Sequence, residues 1–334
     1  MPSLSGLSLA DLQALVEEGG WPRFTARQVM SWLYQKQIFS IQEMTNLSQK
    51  VRQELERRYT LGRTSPSHVV TSKDGTEKYL FPTDDGYHVE TVYIPTADRA
   101  TLCVSSQVGC KMGCRFCMTG RQGFSRHLTV AEILNQIYSS PHFPELTNIV
   151  FMGQGEPFDN TDNLLQAIHI LTQPEGLAWS PRRITVSTVG LVKGMHRFLE
   201  ESDCHLALSL HFPTPSLRRE WMPAEKAYPV VETIRQLRRY DFSHQRRLSF
   251  EYILFRGVND GIAHADSLLV LLKGLSCRVN LIPFHAIPDS PLQGCTDRQM
   301  MQFRDYLTRH GLMTTLRASR GQDIEAACGL LASH

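Results

Sequence analysis

Three cysteines crowd into one short stretch, Cys110-Lys111-Met112-Gly113-Cys114-Arg115-Phe116-Cys117. Three thiolates at that spacing can hold three irons of one cubane cluster, whereas a cluster ligated wholly by protein takes four cysteines. One iron is left open to a small molecule. Structural zinc is the competing reading, but zinc takes four ligands, commonly in two pairs, and no second pair with that spacing exists. Phe116, between two of the thiols, suits a shielded cluster. A second group, Gly153-Gln154-Gly155-Glu156-Pro157, joins two glycines that permit close backbone approach to a carboxylate able to accept hydrogen bonds from an ammonium group. On its own such a Gly-x-Gly is most often a turn. Two more cysteines stand apart: Cys103, seven residues before Cys110, and Cys328, far along the chain. Composition alone reads each as a buried thiol.

The elements that must position these groups follow from pattern. Residues 1–65 read as a small helical domain. Ser8 with Asp11, Thr25 with Gln28, and Ser48 each open a helix. Residues 66–98 read as a short antiparallel β linker segment, with strands at His68 to Ser72, Lys78 to Pro82 and His88 to Pro95 parted by the turn dipeptides Asp74-Gly75 and Asp85-Gly86. Residues 99–334 alternate strand and helix. Strands are predicted at Ala100 to Ser106, Asn148 to Met152, Arg183 to Ser187, His205 to Leu210, Leu248 to Leu254 and Arg278 to Pro283. Helices predicted between and after them include Thr129 to Tyr138, Asp162 to Leu171, Val230 to Arg239, Ala263 to Lys273 and Asp297 to His310. This is an α/β pattern that curls a parallel sheet into a full or partial βα barrel with its site at the C-terminal strand ends. CxxxCxxC follows the first barrel strand and Gly-Gln-Gly-Glu the second. Ser187 ends the third, and Ser209, Leu210 and His211 end the fourth.

Composition bounds the rest. The chain has 334 residues and a net charge of +2, with a pI near 8.1, so a polyanionic partner is neither demanded nor excluded. The stretch Met1 to Gly20 lacks the charged start and apolar core of a secretion signal. No window approaches the roughly 20 apolar residues that cross a bilayer. We expect a cytoplasmic protein with no membrane partner, whose eight cysteines stay reduced.

With the motifs placed, CxxxCxxC and Gly-Gln-Gly-Glu-Pro resemble the radical S-adenosylmethionine (SAM) superfamily. There the open iron of a [4Fe-4S] cluster chelates SAM, and an electron from the cluster breaks the sulfonium bond to leave a 5'-deoxyadenosyl radical. The blocks RATLCVSSQVGCKMGCRFCMTGRQGF, NIVFMGQGEP, ITVSTVG, LALSLH and RASRGQDIEAACG, in that order, closely resemble RlmN-type adenosine C2 methyltransferases, in the branch found in Bacteroidetes. The resemblance implies a radical-SAM barrel in which Cys110, Cys114 and Cys117 hold the cluster. Gly155, Glu156, Ser187, Ser209, Leu210 and His211 would contact SAM, and His285 would do so where many members have Asn. Cys328 would carry the methyl group, Cys103 would resolve the adduct, and Glu90 would accept the proton. Gln154 stands where the family more often has Met. Cys204, Cys277 and Cys295 match nothing in the mechanism and read as inert.

C2 of adenine, between two ring nitrogens, is too electron-poor to attack a sulfonium methyl, so a radical route is required. In the implied mechanism the Cys328 thiolate takes a methyl from one SAM, and a second SAM supplies the radical that activates it for addition to C2. Cys103 then attacks the Cys328 sulfur, and the disulfide left behind must be reduced. Implied partners are 23S rRNA at the peptidyl-transferase region, tRNA at the adenosine next to the anticodon, a flavodoxin-like or ferredoxin-like electron donor and a thiol reductant. A monomer is expected.

Side chains that could neutralise RNA phosphates include Lys111, Arg115, Arg121, Arg126, His127, Arg218, Arg219, Arg235, Arg238, Arg239, Arg246 and Arg247. In the first 65 residues the same reading picks out Arg23, Arg27, Lys36, Lys50, Arg52, Arg57, Arg58 and Arg63 as a grip. Many of these are ordinary solvated surface. Two alternatives stand beside this reading: the related Cfr-type methyltransferase acting at C8 of adenosine, against which Arg320 before Gly321 speaks, and a non-catalytic RNA-binding protein stabilised by metal.

Overall fold

The structure, a computed structural model, describes residues 1–243 and 246–332. It opens with α1 (Leu9–Glu18), α2 (Thr25–Tyr34) and α3 (Gln49–Arg58). Ser8 caps α1 through a reciprocal capping box with Asp11, and Ser48 accepts from Val51 N at the start of α3. Thr25 does not cap α2. It lies inside the helix, buried, and Phe24 precedes it with no side-chain cap bond. The helical unit docks on the barrel through Asn135, whose amide exchanges hydrogen bonds with the backbone of Thr64.

Next come β1 (His68–Thr71), β2 (Glu77–Pro82) and β3 (His88–Pro95), then β4 (Ala100–Cys103), β5 (Gln107–Gly109), α4 (Met118–Gln122), β6 (Phe124–His127) and α5 (Val130–Tyr138). The chain continues through β7 (Asn148–Phe151), α6 (Thr161–Thr172), β8 (Ile184–Thr188), α7 (Val192–Glu201), β9 (His205–Ser209), α8 (Pro215–Trp221) and α9 (Val230–Leu237). It closes with β10 (Leu248–Leu254), α10 (Ile262–Leu272), β11 (Arg278–Pro283), α11 (Asp297–Arg309) and β12 (Thr314–Leu316).

One ten-stranded sheet carries the order β1-β2-β3-β4-β7-β8-β9-β10-β11-β12. From β4 onward every pairing is parallel, while β1 to β4 are antiparallel. Residues from β4 round to β12 line one lumen, so the sheet curls, yet β1 and β12 remain its two edges. It is a partial barrel. The core strands are buried on both faces, as in Leu248–Leu254, because helices cover the outside. Pattern reading missed β12, and it also missed the hairpin β5–β6, which sits apart from the main sheet on either side of the cysteine loop.

Candidate active site

The loop from β5 to α4 carries Cys110, Cys114 and Cys117, and all three line one cavity at the C-terminal strand ends. Backbone bonds from Cys110 N to Gly123 O and from Arg115 N to Trp221 O pin the loop. Phe116 packs edge-on against His211 and tilted against Phe212 and Phe255, so the loop is wedged into the apolar core. Burial pushes all three thiols up, that of Cys110 to about 12, and neighbouring thiols add to it: Cys117 for Cys110 and Cys114, and Cys328 for Cys117. Loading them as thiolates therefore releases protons. Among the described residues no three His, Cys, Asp or Glu side chains gather tightly enough to share a single metal ion.

Gly155 has φ +102°, and a Cβ there would meet Gln107 within 2.9 Å, so the turn requires glycine. Glu156, 2% exposed, accepts from Val189 N at 2.9 Å and Phe158 N at 3.0 Å. Desolvation outweighs those bonds and pushes its carboxyl up to about 7. Gln107, which pattern reading passed over, is wholly buried. Its Oε1 accepts from Glu156 N and its Nε2 donates to Asp159.

Ser187 and Ser209 face each other across adjacent strand ends, Oγ to Oγ 3.2 Å. His211 has φ +54°, held there by Asn259 Nδ2 donating to its carbonyl at 2.7 Å. Its Nδ1 accepts from Ile253 N at 3.2 Å, which leaves Nε2–H as a donor to the cavity. Burial, then the Arg218 charge, pushes the His211 imidazole down to about 3, so it is neutral. Leu210 does not line the cavity; its carbonyl accepts from Arg218 Nε.

Arg218 corrects the sequence reading. It is 0% exposed, paired with Glu225, and donates to Val189 O at 2.7 Å and Ser209 O at 3.2 Å. It ties the ends of β8 and β9 together and reaches no RNA. Several other expected phosphate contacts are also engaged: Arg126 with Asp85 and Glu132, Lys111 with Asp159, Arg235 with Glu232, and Arg121 with the carbonyls of Pro288 and Asp289. In the helical unit Arg57 and Arg58 pair with Glu54 and Glu18, and Arg63 turns inward onto the carbonyls of Gln37 and Leu33.

The tail after β12 brings Cys328 into the cavity of the three cysteines. Two clamps hold it. At one end Asp74 and Asp323 link it to the β1–β2 turn, through Gly321 N to Asp74 Oδ2 at 3.0 Å and Ser72 Oγ to Asp323 Oδ1 at 2.5 Å, with Arg320 4.0 Å from Asp74. At the other end Met118 N donates to Gly329 O and Thr119 Oγ1 to Leu331 O. Cys103 packs beneath, against Val92, Ala326 and Leu331. Burial first, then Cys328, pushes the Cys103 thiol up to about 12. Arg317, also missed by sequence, is held charged by Glu251 (3.8 Å) and then by the Cys328 and Cys103 thiols. Glu251 lines the cavity of the three cysteines and the lumen, and its Oε2 accepts no hydrogen bond. Among the described residues its nearest cation is Arg317.

Two expected residues sit off that wall. His285 lines the lumen and bonds Ser319 Oγ through Nε2 at 2.7 Å. Glu90, 5% exposed, pairs with Lys78 at 3.0 Å. Its backbone N donates to Gln154 Oε1 and its carbonyl accepts from Ser105 Oγ. Gln154 thus ties Glu90 to the glycine turn. Cys204, Cys277 and Cys295 line neither the cluster cavity nor the lumen.

A partial α/β barrel presenting three cysteines, a Gly-x-Gly-Glu turn and paired serines at its strand ends is a radical SAM enzyme. The family model for the radical SAM superfamily matches residues 104–268, and that for the ribosomal RNA large subunit methyltransferase N-terminal domain matches residues 3–61. A probable dual-specificity RNA methyltransferase RlmN of Bacteroides fragilis is 58% identical over 330 residues, covering 99% of this chain and 96% of that protein. The dual-specificity RNA methyltransferase RlmN of Marinobacter nauticus is 40% identical over 98% of this chain and 92% of its own. A crystal structure of a radical SAM methyltransferase from Sphaerobacter thermophilus superposes with TM-score 0.93 at 42% identity, covering 99% of each chain. The chain belongs to the RlmN family of SAM-dependent RNA methyltransferases.

Proposed function

We propose that this enzyme methylates C2 of adenosine in 23S rRNA, at the peptidyl-transferase region, and in tRNA, next to the anticodon. The observation that carries the reading is the meeting of Cys328 with the three-cysteine loop in one cavity, with Cys103 packed under the same tail. Cys110, Cys114 and Cys117 would hold a [4Fe-4S] cluster, which when bound supplies the electron that cleaves SAM reductively. Gly155 gives backbone access, Glu156 receives the SAM ammonium, and Ser187, Ser209 and His211 offer hydroxyl and Nε2–H groups to the rest. Leu210 acts through its backbone. His285, bonded to Ser319, links the tail to the end of β11.

Cys328 is the exposed thiol of the pair and takes the methyl group as a thioether. Once the carbon has joined C2, Glu90 accepts the C2 proton. Cys103 then attacks the Cys328 sulfur, which frees the RNA and leaves a Cys103–Cys328 disulfide for a thiol reductant. Arg317, beside both sulfurs, lowers the Cys103 thiol against the burial that raises it. In this reading residues 1–65 grip the RNA, residues 66–98 are the antiparallel segment and residues 99–334 form the catalytic barrel. The enzyme works as a cytoplasmic monomer supplied by a flavodoxin-like or ferredoxin-like donor. Among the described residues no helix is long and apolar enough to cross a membrane.

The test is a pair of variants in the anaerobically reconstituted enzyme. Cys328→Ala is expected to lose methyl loading, and Cys103→Ala to accumulate a covalent protein–RNA adduct. Normal turnover by Cys103→Ala would refute the resolving role.

A further inference from the structure

The site above occupies the C-terminal strand ends, but the opposite mouth of the barrel carries its own concentration of charge. Arg99 precedes β4, Arg182 precedes β8, Arg247 precedes β10 and Arg278 begins β11. Together they line the lumen from below. Among the described residues none of the four has a carboxylate within ion-pair distance, whereas most other arginines singled out by pattern reading are paired or bonded to carbonyls. Four guanidiniums, three of them exposed, thus face one opening with no carboxylate of their own to pair with. This arrangement points to a ligand that supplies the charge.

His205, at the start of β9, registers the same field. Burial and then the charges of Arg247, Arg182 and Arg278 push its imidazole down to about 4, so it faces the mouth neutral. Above the arginines the lumen wall carries Thr185, then Ser249 and Asn280, whose hydroxyl and amide donate to Glu251 Oε1. The whole lumen, from these arginines up to Cys328, holds about 580 Å³, within the range of small-molecule sites and too small for folded RNA. Glu251, deeper in, limits how far an anion can travel. A strand of five residues separates this mouth from the cysteine loop by about 15 Å, so one nucleotide cannot occupy both.

We propose that the N-terminal mouth of the barrel is a binding site for a small phosphate-class polyanion, a diphosphate or triphosphate group held by Arg99, Arg182, Arg247 and Arg278. Planar guanidiniums give bidentate contacts to phosphate oxygens. The inference stands apart from the methyl-transfer reading, since its four arginines are none of the residues assigned to the cluster, SAM or methyl transfer.

Calorimetry on the reconstituted full chain tests it, with inorganic pyrophosphate, tripolyphosphate and adenosine diphosphate as separate titrants. One saturable site is expected, tighter for tripolyphosphate and weakened by salt. The double variant Arg247→Gln/Arg278→Gln should lose about tenfold or more in affinity, with an unchanged circular dichroism spectrum. Arg298→Gln, an exposed arginine on α11 outside the mouth, should bind like the parent. If the double variant does not fold, Arg182→Gln alone should weaken pyrophosphate binding. Equal affinity for pyrophosphate and adenosine diphosphate supports recognition of the phosphates alone; tighter adenosine diphosphate supports a nucleotide. Undiminished binding in the folded mouth variants overturns the proposal. So does the absence of any saturable site, or a loss of RNA affinity in those variants without pyrophosphate binding to the parent, which would make this face an RNA contact.

Discussion

Replacing Arg218 with Met should cost more than any surface arginine, and the structure sets the size. Arg218 is wholly buried and holds Glu225, which is 1% exposed and otherwise bonded only to Val230 N. Its loss strands a buried carboxylate, a change that typically costs about 3–5 kcal/mol. It also leaves the carbonyls of Val189, Ser209 and Leu210 without their donor. We expect about 4 kcal/mol in total. Pairing it with Glu225→Gln removes the stranded charge but not the orphaned carbonyls, and should regain about half. With a urea slope of about 3 kcal/mol per molar, the single variant should unfold about 1.3 M earlier by near-ultraviolet circular dichroism. SAM affinity should fall with it, because the ends of β8 and β9 lose their tie. A single-variant shift below about 0.3 M, or a double variant no better than the single, would refute the reasoning.

Three further predictions follow from the same geometry. SAM binding to the reconstituted enzyme should strengthen as pH rises through about 7, where the raised Glu156 carboxyl ionises, and weaken by up to about tenfold per pH unit below it; Glu156→Gln should flatten the profile, and a flat parent profile would contradict the assignment. Limited alkylation at pH 8 should label exposed Cys328 well before Cys103, whose buried thiol is pushed up to about 12; mass spectrometry of peptides reads the order, and equal rates would show that the tail does not cover Cys103. Lys78→Met leaves the nearly buried Glu90 carboxylate without the cation 3.0 Å away, so turnover should fall while Lys78→Arg retains it; unchanged turnover by Lys78→Met would show that this pair does not serve the proton step.

Some of this molecule is plain in its sequence and some is not, for physical reasons. The cysteine loop is local, so its chemistry is legible from spacing alone. Strands such as Leu248–Leu254 and Arg278–Pro283 lie as expected because apolar and β-prone residues dominate each run, even though Ser249, Glu251 and Asn280 interrupt it. Cys103 and Cys328 meet only through tertiary folding, and no periodicity announces them; the resemblance did. Arg218 was misread because arginine is seldom fully buried, and its partner Glu225 sits one short helix away with no pattern to mark it. Gln107, Glu251 and Arg317 were missed because a polar residue inside a strand or just after one looks like the solvent face until the sheet curls around it. Thr25 resembled a cap by type and spacing, but the helix starts one residue earlier against Phe24.

The central claim is that a methyl group carried on Cys328 is delivered to C2 of adenosine. Nucleoside mass spectrometry of 23S rRNA and tRNA treated with the reconstituted enzyme, alongside Cys328→Ala, tests it most directly. We predict 2-methyladenosine in both RNAs with the parent and none with the variant; 8-methyladenosine alone, or undiminished 2-methyladenosine from Cys328→Ala, would contradict it.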